Sequence, residues 1–314
     1  MEDMLISVVV ISYNSSPYIE ETLQSVYDQA YPHIELIVSD DGSKDGTLGV
    51  VESWLEGKEG RFARVELVGS IANTGISPNV NRGVKKASGE WVKIIAGDDL
   101  LHPSCIELCV EVSASLDEQV GLIHGMVQPF FVKDGVMVHK TEVAGKADGD
   151  GFYGNTFSQQ QQLFKMLSGN YVAAPSVMYR RSSLLAVGLF DEAFPFMEDY
   201  PMHIKLLSKG YKLYYIPQVL ALYRISDSSI SHRNSQRIFS TLYLDSYYSF
   251  VFSKLFPVSS LLLKLRHRVK YAAYRGVVVL GKNRQNIVST LIIKLSILLT
   301  RLIDKLRRYE QTKG

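Results

Sequence analysis

Only two cysteines occur in the 314 residues, Cys105 and Cys109. That excludes a disulfide framework and points to a reducing compartment. Their i, i+4 spacing puts both on one helix face. Two soft ligands make a poor metal site, so core packing is the expected role. No stretch reaches the ~18 uninterrupted apolar residues of a spanning helix. The opening MEDMLISVVV carries acids where an export signal has a basic segment, so no signal peptide is expected. The first apolar run is followed by SYNSSPY instead of a glycine-rich turn, and no G-x-x-x-x-G-K-[ST] occurs. Dinucleotide and P-loop sites are therefore poor fits. Internal repeats and low-complexity tracts are also missing.

What is present is ample core material: 46% hydrophobic residues, with 18 Tyr and 13 Phe. The net charge of +2 conceals an asymmetry. Residues 251–314 hold 14 Lys and Arg against Asp304 and Glu310, a net of +12, while the first 250 hold 20 basic and 30 acidic groups, a net of −10. The two regions face different partners.

The first hundred residues alternate apolar β-rich runs with helical patterns. Strands are expected at 5–11, 34–39, 64–69 and 91–95. Helices are expected from Pro17, capped by Ser15 or Ser16, and over about 47–55 and 77–87. This order implies parallel strands with right-handed crossovers, covered by helices on both faces. Further on, the pattern predicts a helix at 104–115, a strand at 120–124, and a hairpin turning at Asp134-Gly135. A Gln-rich helix at 157–167, a strand near 176–180, a helix from Asp199 and short strands at 212–216 and 219–223 follow. From about 236 the chain reads as helical.

In such a sheet ligands sit beyond the carboxyl ends of the strands. Three polar clusters fall there: Ser12-Tyr13-Asn14, Asp40-Asp41-Gly42-Ser43 and Asp98-Asp99. Asp98-Asp99 alone reads equally well as a solvated turn capping the helix at Pro103, Asp40-Asp41-Gly42-Ser43 alone reads rather as an ordinary turn, and Tyr13 alone equally well as a half-buried core aromatic. Together at one edge, the acids suit a hard divalent cation and, through it, a diphosphate. Tyr13 could stack on a base, and Asp41 could accept from a base N–H.

The stretch ISVVVISYNSSPYIEETLQSVYDQAYPHIELIVSDDGSKDGT resembles the opening of the family 2 inverting glycosyltransferases of bacterial surface-polysaccharide type, which have the GT-A fold. NTGISPNVNRGVKKASGEWVKIIAGDDLLHP continues the match, as does SVMYRRSSLLAVGLFDEAFPFMEDYPMHIKLLSKGYKLYYIPQVLALYRISDSSIS. The resemblance runs from residue 5 to about 231. It implies an α/β fold with a Rossmann-like, mostly parallel sheet in a catalytic domain over 1–235, the nucleotide-sugar half to about 103 and the acceptor half from about 104. By motif, Tyr13 would stack on the nucleobase and Asp41 would bond its imide N–H. Asn81 and Arg82 would line the nucleotide side. Asp98 would lie near the ribose and Asp99 on a Mn2+ or Mg2+ ion, and Asp199, after Glu198, would be the catalytic base. Taken without the resemblance, Glu198-Asp199 also reads as an acid pair favoured by a helix N-terminus. Departures from the family pattern are Ala96 and Val80, where many members carry an acid and an Arg. Ser226 stands where many carry His, which leaves the third metal ligand open; His232 is near in sequence.

The activity implied is metal-dependent inverting transfer of a hexosyl or N-acetylhexosaminyl group. The donor is a nucleotide sugar, a UDP-sugar first, and the acceptor a hydroxyl of a glycan or lipid-linked glycan. Tyr153, Tyr171 and Phe196 are expected around the acceptor. Nucleic acid is not an expected partner. A non-catalytic nucleotide-sugar binder or assembly scaffold is the alternative. Residues 236–314 lie mostly beyond the resemblance and read as a basic helical extension, with two helices meeting around Gly281. Its basic amphipathic pattern suits either an anionic membrane surface or packing on protein, including a homodimer. The expected location is cytoplasmic, peripheral on the inner face of the membrane if the tail binds lipid.

Overall fold

The apolar runs of the first hundred residues become parallel strands β1 (Ile6–Ser12), β2 (Ile34–Asp40), β3 (Arg64–Gly69) and β4 (Trp91–Ala96). Every residue of β2 is buried, and all but one of β1, as the sheet interior demands. Between them run α1 (Ile19–Tyr27), α2 (Thr47–Leu55) and α3 (Ile76–Lys86). The computed structural model describes residues 4–145, 155–194, 196–226 and 237–311. Its contacts divide the chain into two compact units, residues 1–166 with 170–225, and residues 167–169 with 226–314.

The first unit continues through β5 (Leu100–Leu101), α4 (Cys105–Ser113), β6 (Val120–Lys133), β7 (Val136–His139), α5 (Gln159–Met166), β8 (Met178–Arg180), α6 (Arg181–Ala186), α7 (Asp199–Ser208) and β9 (Lys212–Arg224). Nine strands among the described residues form one sheet, ordered β3-β2-β1-β4-β8-β6-β9-β5, with β7 paired to β6. The hairpin turns where expected: Asp134 and Gly135 take φ of 52° and 76°, the left-handed pair that a two-residue turn needs. Cys105 and Cys109 are fully buried and unbridged.

Three expectations are corrected. The strand expected at 120–124 runs on to Lys133, because β9 pairs with it in parallel along its length. The two short strands expected at 212–216 and 219–223 are one strand, β9. Pro217, which has no N–H to give the ladder, coincides with a slip in its register against β6. Neither Ser15 nor Ser16 caps α1 through its side chain. Tyr18 occupies the cap position, and the Ser15 and Ser16 backbone amides donate instead to Thr47 and Asp45.

The second unit holds α8 (Thr241–Phe250), α9 (Leu261–Val279) and α10 (Ile287–Gln311). Ser240 and Ser260 cap α8 and α9, each accepting from the third amide on. Tyr248, Tyr271, Tyr274 and Phe252 pack ring against ring, and Arg266 pairs with Asp304 at 2.8 Å. No described helix is long and apolar enough to cross a membrane.

One acid holds three strands together. Glu35 on β2 is 1% exposed and accepts from the Ser7 hydroxyl of β1, from Ser88 and Gly89 ahead of β4, and from Arg64 of β3. Burial alone would raise its pKa, but these donors carry it below the ordinary glutamate value. A depressed carboxyl stabilises the fold fully above its unfolded pKa of 4.5, and that contribution fades as pH falls through the folded value. Glu35→Ala is therefore expected to lower unfolding free energy by about 2–4 kcal/mol at pH 7. The deficit should shrink in urea melts taken progressively below pH 4.5.

Candidate active site

The parallel register decides where the polar clusters go. Ser12 lies opposite Asp40, Ile11 opposite Ala96, and Asp40 opposite Gly69. All three clusters therefore leave the sheet at the same edge. The first two loops are stitched together: Ser12 Oγ donates to Asp40 (2.9 Å), Asn14 N to Ser43 Oγ (2.8 Å) and Lys44 N to Asn14 Oδ1 (2.9 Å). Asn14 takes φ 51°, a left-handed conformation Asn tolerates. Burial opposes ionisation of Asp45, but the Thr47 hydroxyl and the Ser16 amide bring it down to about 2. Tyr13, at the crest of this loop, is 43% exposed.

Asp41 is buried, and its oxygens are well occupied. Oδ2 accepts from the Thr74 and Gly75 amides (2.7 and 2.8 Å), and Oδ1 from Thr74 Oγ1 (2.6 Å) and Arg82 Nη2 (3.3 Å). Four donors fill the four lone-pair positions of a carboxylate. Asp41 and Arg82 are thus together, Asp41 orders the turn into α3, and its amide donates to the carbonyl of Ser12, next to Tyr13 (2.9 Å). Asn81, expected on the nucleotide side, is a buried anchor in the structure. Its side chain is buried, donating to Phe190 O (3.0 Å) and Glu192 Oε1 (2.8 Å) and accepting from Phe190 N (2.9 Å). A neighbouring bond from Ser77 Oγ to Phe194 O (3.0 Å) fixes the same segment, which leads to Glu198-Asp199.

Gly97 ends β4 because a side chain there would sit 2.8 Å from Ile19 of α1. Asp98 and Asp99 follow. Asp99 is 3% exposed, and its Oδ1 accepts from the Arg224 amide at 2.9 Å. Burial first, then the charge of Asp98, pushes Asp99 well above the usual aspartate range; burial also raises Asp98. The basic neighbour that the local sequence lacks arrives from β9, whose end is drawn to this turn by the β5 pairing. Arg224 lies between the Tyr18 and Phe130 rings (4.9 and 4.6 Å), giving Nε to the Asp98 backbone oxygen and Nη2 to Glu21, both at 2.8 Å.

Glu198 and Asp199 open α7. Both are only partly exposed and densely surrounded, so charge there is poorly solvated. Burial and the neighbouring Asp199 raise Glu198 to about 8; burial raises Asp199 also, against hydrogen bonds from the Tyr200 amide (2.7 Å) and Asn170 Nδ2 (2.7 Å). Asn170 lies on the segment entering β8, which runs antiparallel beside β4. Buried Lys93 of β4 ties that segment down through the carbonyls of Pro175 and Val177. The acid pair after β4 and the acid pair opening α7 are both held to one end of one sheet.

A family model described as "Glycosyl transferase family 2" matches residues 7–188, more than half of the chain. The chain belongs to glycosyl transferase family 2. A putative teichuronic acid biosynthesis glycosyltransferase of Bacillus subtilis is 26% identical to this family 2 chain over 227 residues, covering 72% of it and 81% of the relative. An uncharacterized glycosyltransferase of Rickettsia typhi is 25% identical over 236 residues, covering 73% of the chain; the match spans 66% of that relative's own length. Among solved structures, S. aureus TarS 1–349 in complex with UDP-GlcNAc has TM-score 0.55 at 18% identity, covering 98% of this chain and 92% of that one. The mannosyltransferase PcManGT of Pyrobaculum calidifontis, in complex with GDP-Man and Mn2+, has TM-score 0.53 at 18% identity, covering 96% and 83%. At such identities the likeness is one of fold, the GT-A fold that the sequence resemblance implied.

Three residues that the motifs did not single out brace these clusters: Arg224, Lys93 and Asn170. Arg224 was visible only as an Arg after a Tyr, and Asn170 stands in no motif, since both act across long sequence separations. Among the described residues no cluster of three or more His, Cys, Asp and Glu is arranged for a metal. His232 and Tyr153 lie outside the described residues. Tyr171 lies under Lys165 at 5.3 Å, and Phe196 is half-buried.

Glu198 carries a sign-definite consequence. Its folded pKa exceeds the unfolded 4.5, so wild-type stability is eroded as pH rises from 4.5 to about 8. Relative to wild type, Glu198→Gln should become progressively more stable across that window, by on the order of 1–3 kcal/mol at pH 9. Paired urea titrations at pH 5, 7 and 9 would show it; a constant difference across the series would refute it.

Proposed function

We propose that this family 2 protein transfers a sugar, with inversion, from a nucleoside diphosphate donor to a hydroxyl of a glycan or lipid-linked glycan, in a metal-dependent reaction. The observation that supports the reading is the link from Asp199 through Asn170 to the segment entering β8, which pairs with the strand that ends just before Asp98-Asp99. A UDP-sugar is the first donor to try, because TarS was solved with UDP-GlcNAc; GDP-Man, found in PcManGT, is the second.

Asp98 and Asp99 fit a hard cation. They are adjacent, offer oxygen only and are sheltered from water, while the Arg224 guanidinium is turned to the Asp98 backbone and Glu21. They would hold Mn2+ or Mg2+, which when bound supplies charge neutralisation for a diphosphate leaving group. The chain's own groups do the rest. Tyr13 offers an exposed ring for the base to stack on. Asp41 accepts a base N–H in place of the Arg82 bond, the longest of its four. Arg82, so released, faces the phosphates as a fixed charge. Asp199 takes the proton of the attacking hydroxyl on the far side of the sugar. Its pKa, raised by burial, makes it a stronger base than an exposed aspartate. In-line attack then inverts the anomeric centre.

The second unit supplies a location. Ile287, Leu291, Leu295, Leu298, Leu302 and Leu306 form one stripe along α10, exposed from 77% at Ile287 to 49% at Leu306. Lys294, Arg301 and Lys305 line one border of it, also exposed. Asp304 is turned to Arg266. Two copies meeting along this stripe would bring like charges together, whereas anionic lipid headgroups complement it. The stripe would rest on the cytoplasmic leaflet, beside lipid-linked acceptors.

Free nucleotide released from UDP-Glc, UDP-GlcNAc, UDP-Gal and GDP-Man, with and without Mn2+, identifies the donor and separates an enzyme from a scaffold. With the donor so found, Asp199→Asn should lower turnover at least 100-fold while calorimetric donor affinity stays within about twofold. Asp99→Ala should abolish the Mn2+-dependent part of that affinity. Equal donor affinity with Mn2+ and with EDTA in wild type would contradict the metal role. In vesicle sedimentation, the protein should pellet with phosphatidylglycerol-rich but not pure phosphatidylcholine vesicles. Leu295→Ser/Leu298→Ser/Leu302→Ser should stay in the supernatant; equal pelleting of both forms would reject the α10 surface.

A further inference from the structure

We propose that Asn170 is the positioning residue for Asp199, held in one orientation by a neutral His203 and by Tyr179 behind it. The inference rests on the reading of Asp199 as the base and adds the device that aims it. Asn170 Nδ2 donates to Asp199 Oδ2 at 2.7 Å. A side-chain amide can turn by half a revolution and exchange its donor for its acceptor at little steric cost. Two groups prevent that here. The Val172 amide reaches Asn170 Oδ1 at 3.2 Å, and His203 Nδ1 reaches it at 3.3 Å. A backbone N–H can only donate, so the oxygen must face it and the NH2 group must face Asp199.

The same logic fixes the imidazole. His203 is fully buried, and burial, with His124 nearby, drops it to about 3, so it is neutral. Its single N–H must sit on Nδ1 to satisfy Asn170 Oδ1. Nε2 is then the acceptor, and the Tyr179 hydroxyl lies 3.3 Å from it. Burial holds Tyr179 well above its ordinary pKa, so it keeps its proton to give. Every donor in the series points one way: Tyr179 O–H to His203, His203 N–H to Asn170, Asn170 N–H to Asp199. The Tyr200 amide holds the other oxygen of Asp199 at 2.7 Å. Each oxygen keeps a lone pair for an incoming hydroxyl.

The three supports come from different elements. Asn170 precedes β8, Tyr179 is on β8, and His203 is one turn after Asp199 on α7, on the same helix face. None is charged. A lysine or arginine in the place of Asn170 would orient Asp199 as firmly but would drain its basicity. A neutral amide orients without that loss. Among the described residues, the titratable groups around Asp199 are Glu198, Tyr179, His203 and, behind it, His124. Only the Glu198 pKa falls near neutral pH.

The test uses full-length protein and the donor found by nucleotide release, with water as acceptor hydroxyl. Asn170→Ala should lower kcat about 10- to 100-fold with donor KM within about twofold. Asn170→Asp, nearly isosteric, sets a like charge beside Asp199 and should move the acid limb of the kcat–pH profile up by at least about one unit. Carboxyl 13C titration of Asp199, identified by its loss in Asp199→Asn, should show the same displacement without substrate. Tyr179→Phe, which frees only the far end, should cost about 2- to 5-fold. Asn170→Ser serves if either variant at 170 fails to fold, with kcat intermediate between wild type and Asn170→Ala. Wild-type kcat and an unmoved profile in Asn170→Asp, with Asp199→Asn inactive, would overturn the role of Asn170 alone. An active Asp199→Asn would overturn the base assignment beneath it.

Discussion

The shared register of β2, β1 and β4 is the constraint from which the site follows. Because Ser12, Asp40 and Ala96 end their strands in line, three polar loops have nowhere to go but one edge. Nothing in those loops alone would gather them. The buried carboxylate of Glu35 locks the opposite end of the same strands, so the register is fixed by an ionic clamp at one end and expressed as chemistry at the other. The second half of the first unit is hung on this frame. β8 runs beside β4, and β5 holds the end of β9, which brings Arg224 to the acid turn and the Asn170 segment to Asp199.

Six acids with shifted pKa values divide by their donors. Glu35, which is buried, and Asp45, which is exposed, are ringed by hydroxyls and amides and sit below their ordinary values. Asp99 is buried and Asp98, Glu198 and Asp199 are partly exposed; standing as adjacent like charges with fewer donors, all four are raised. The first kind stabilises the fold. The second kind costs stability, which a fold retains where a ligand supplies the missing positive charge or where a basic carboxylate is needed.

Much of this was legible from residue order. The alternation of apolar runs and helical patterns identified β1 to β4 and α2 within a residue or so, because near-continuous Val and Ile between turn residues leave few other choices. Asp134-Gly135 announced its hairpin. The reading weakened where tertiary pairing overrode local pattern. β6 outran its apolar core because β9 pairs with it, and Pro217 looked like a strand break although the sheet absorbs it as a slip. Motif spacing singled out Tyr13, Asp41, Asn81, Arg82, Asp98, Asp99 and Asp199. The Asn81 amide anchors Phe190 and Glu192, more than a hundred residues away, a contact no local pattern announces. Arg224, Lys93 and Asn170 were silent for the same reason: their partners are distant in sequence, and a single Arg, Lys or Asn carries no periodic signature.

The account stands on Asp98-Asp99 and Asp199 facing one bound sugar from opposite sides. A crystal structure of the Asp199→Asn protein with the intact donor and Mn2+ tests this directly. The account predicts the ion and diphosphate against Asp98-Asp99, the base over Tyr13, and the anomeric carbon facing residue 199 with room for one hydroxyl between. A donor bound with its anomeric carbon turned away from residue 199, or held at another surface, would contradict it.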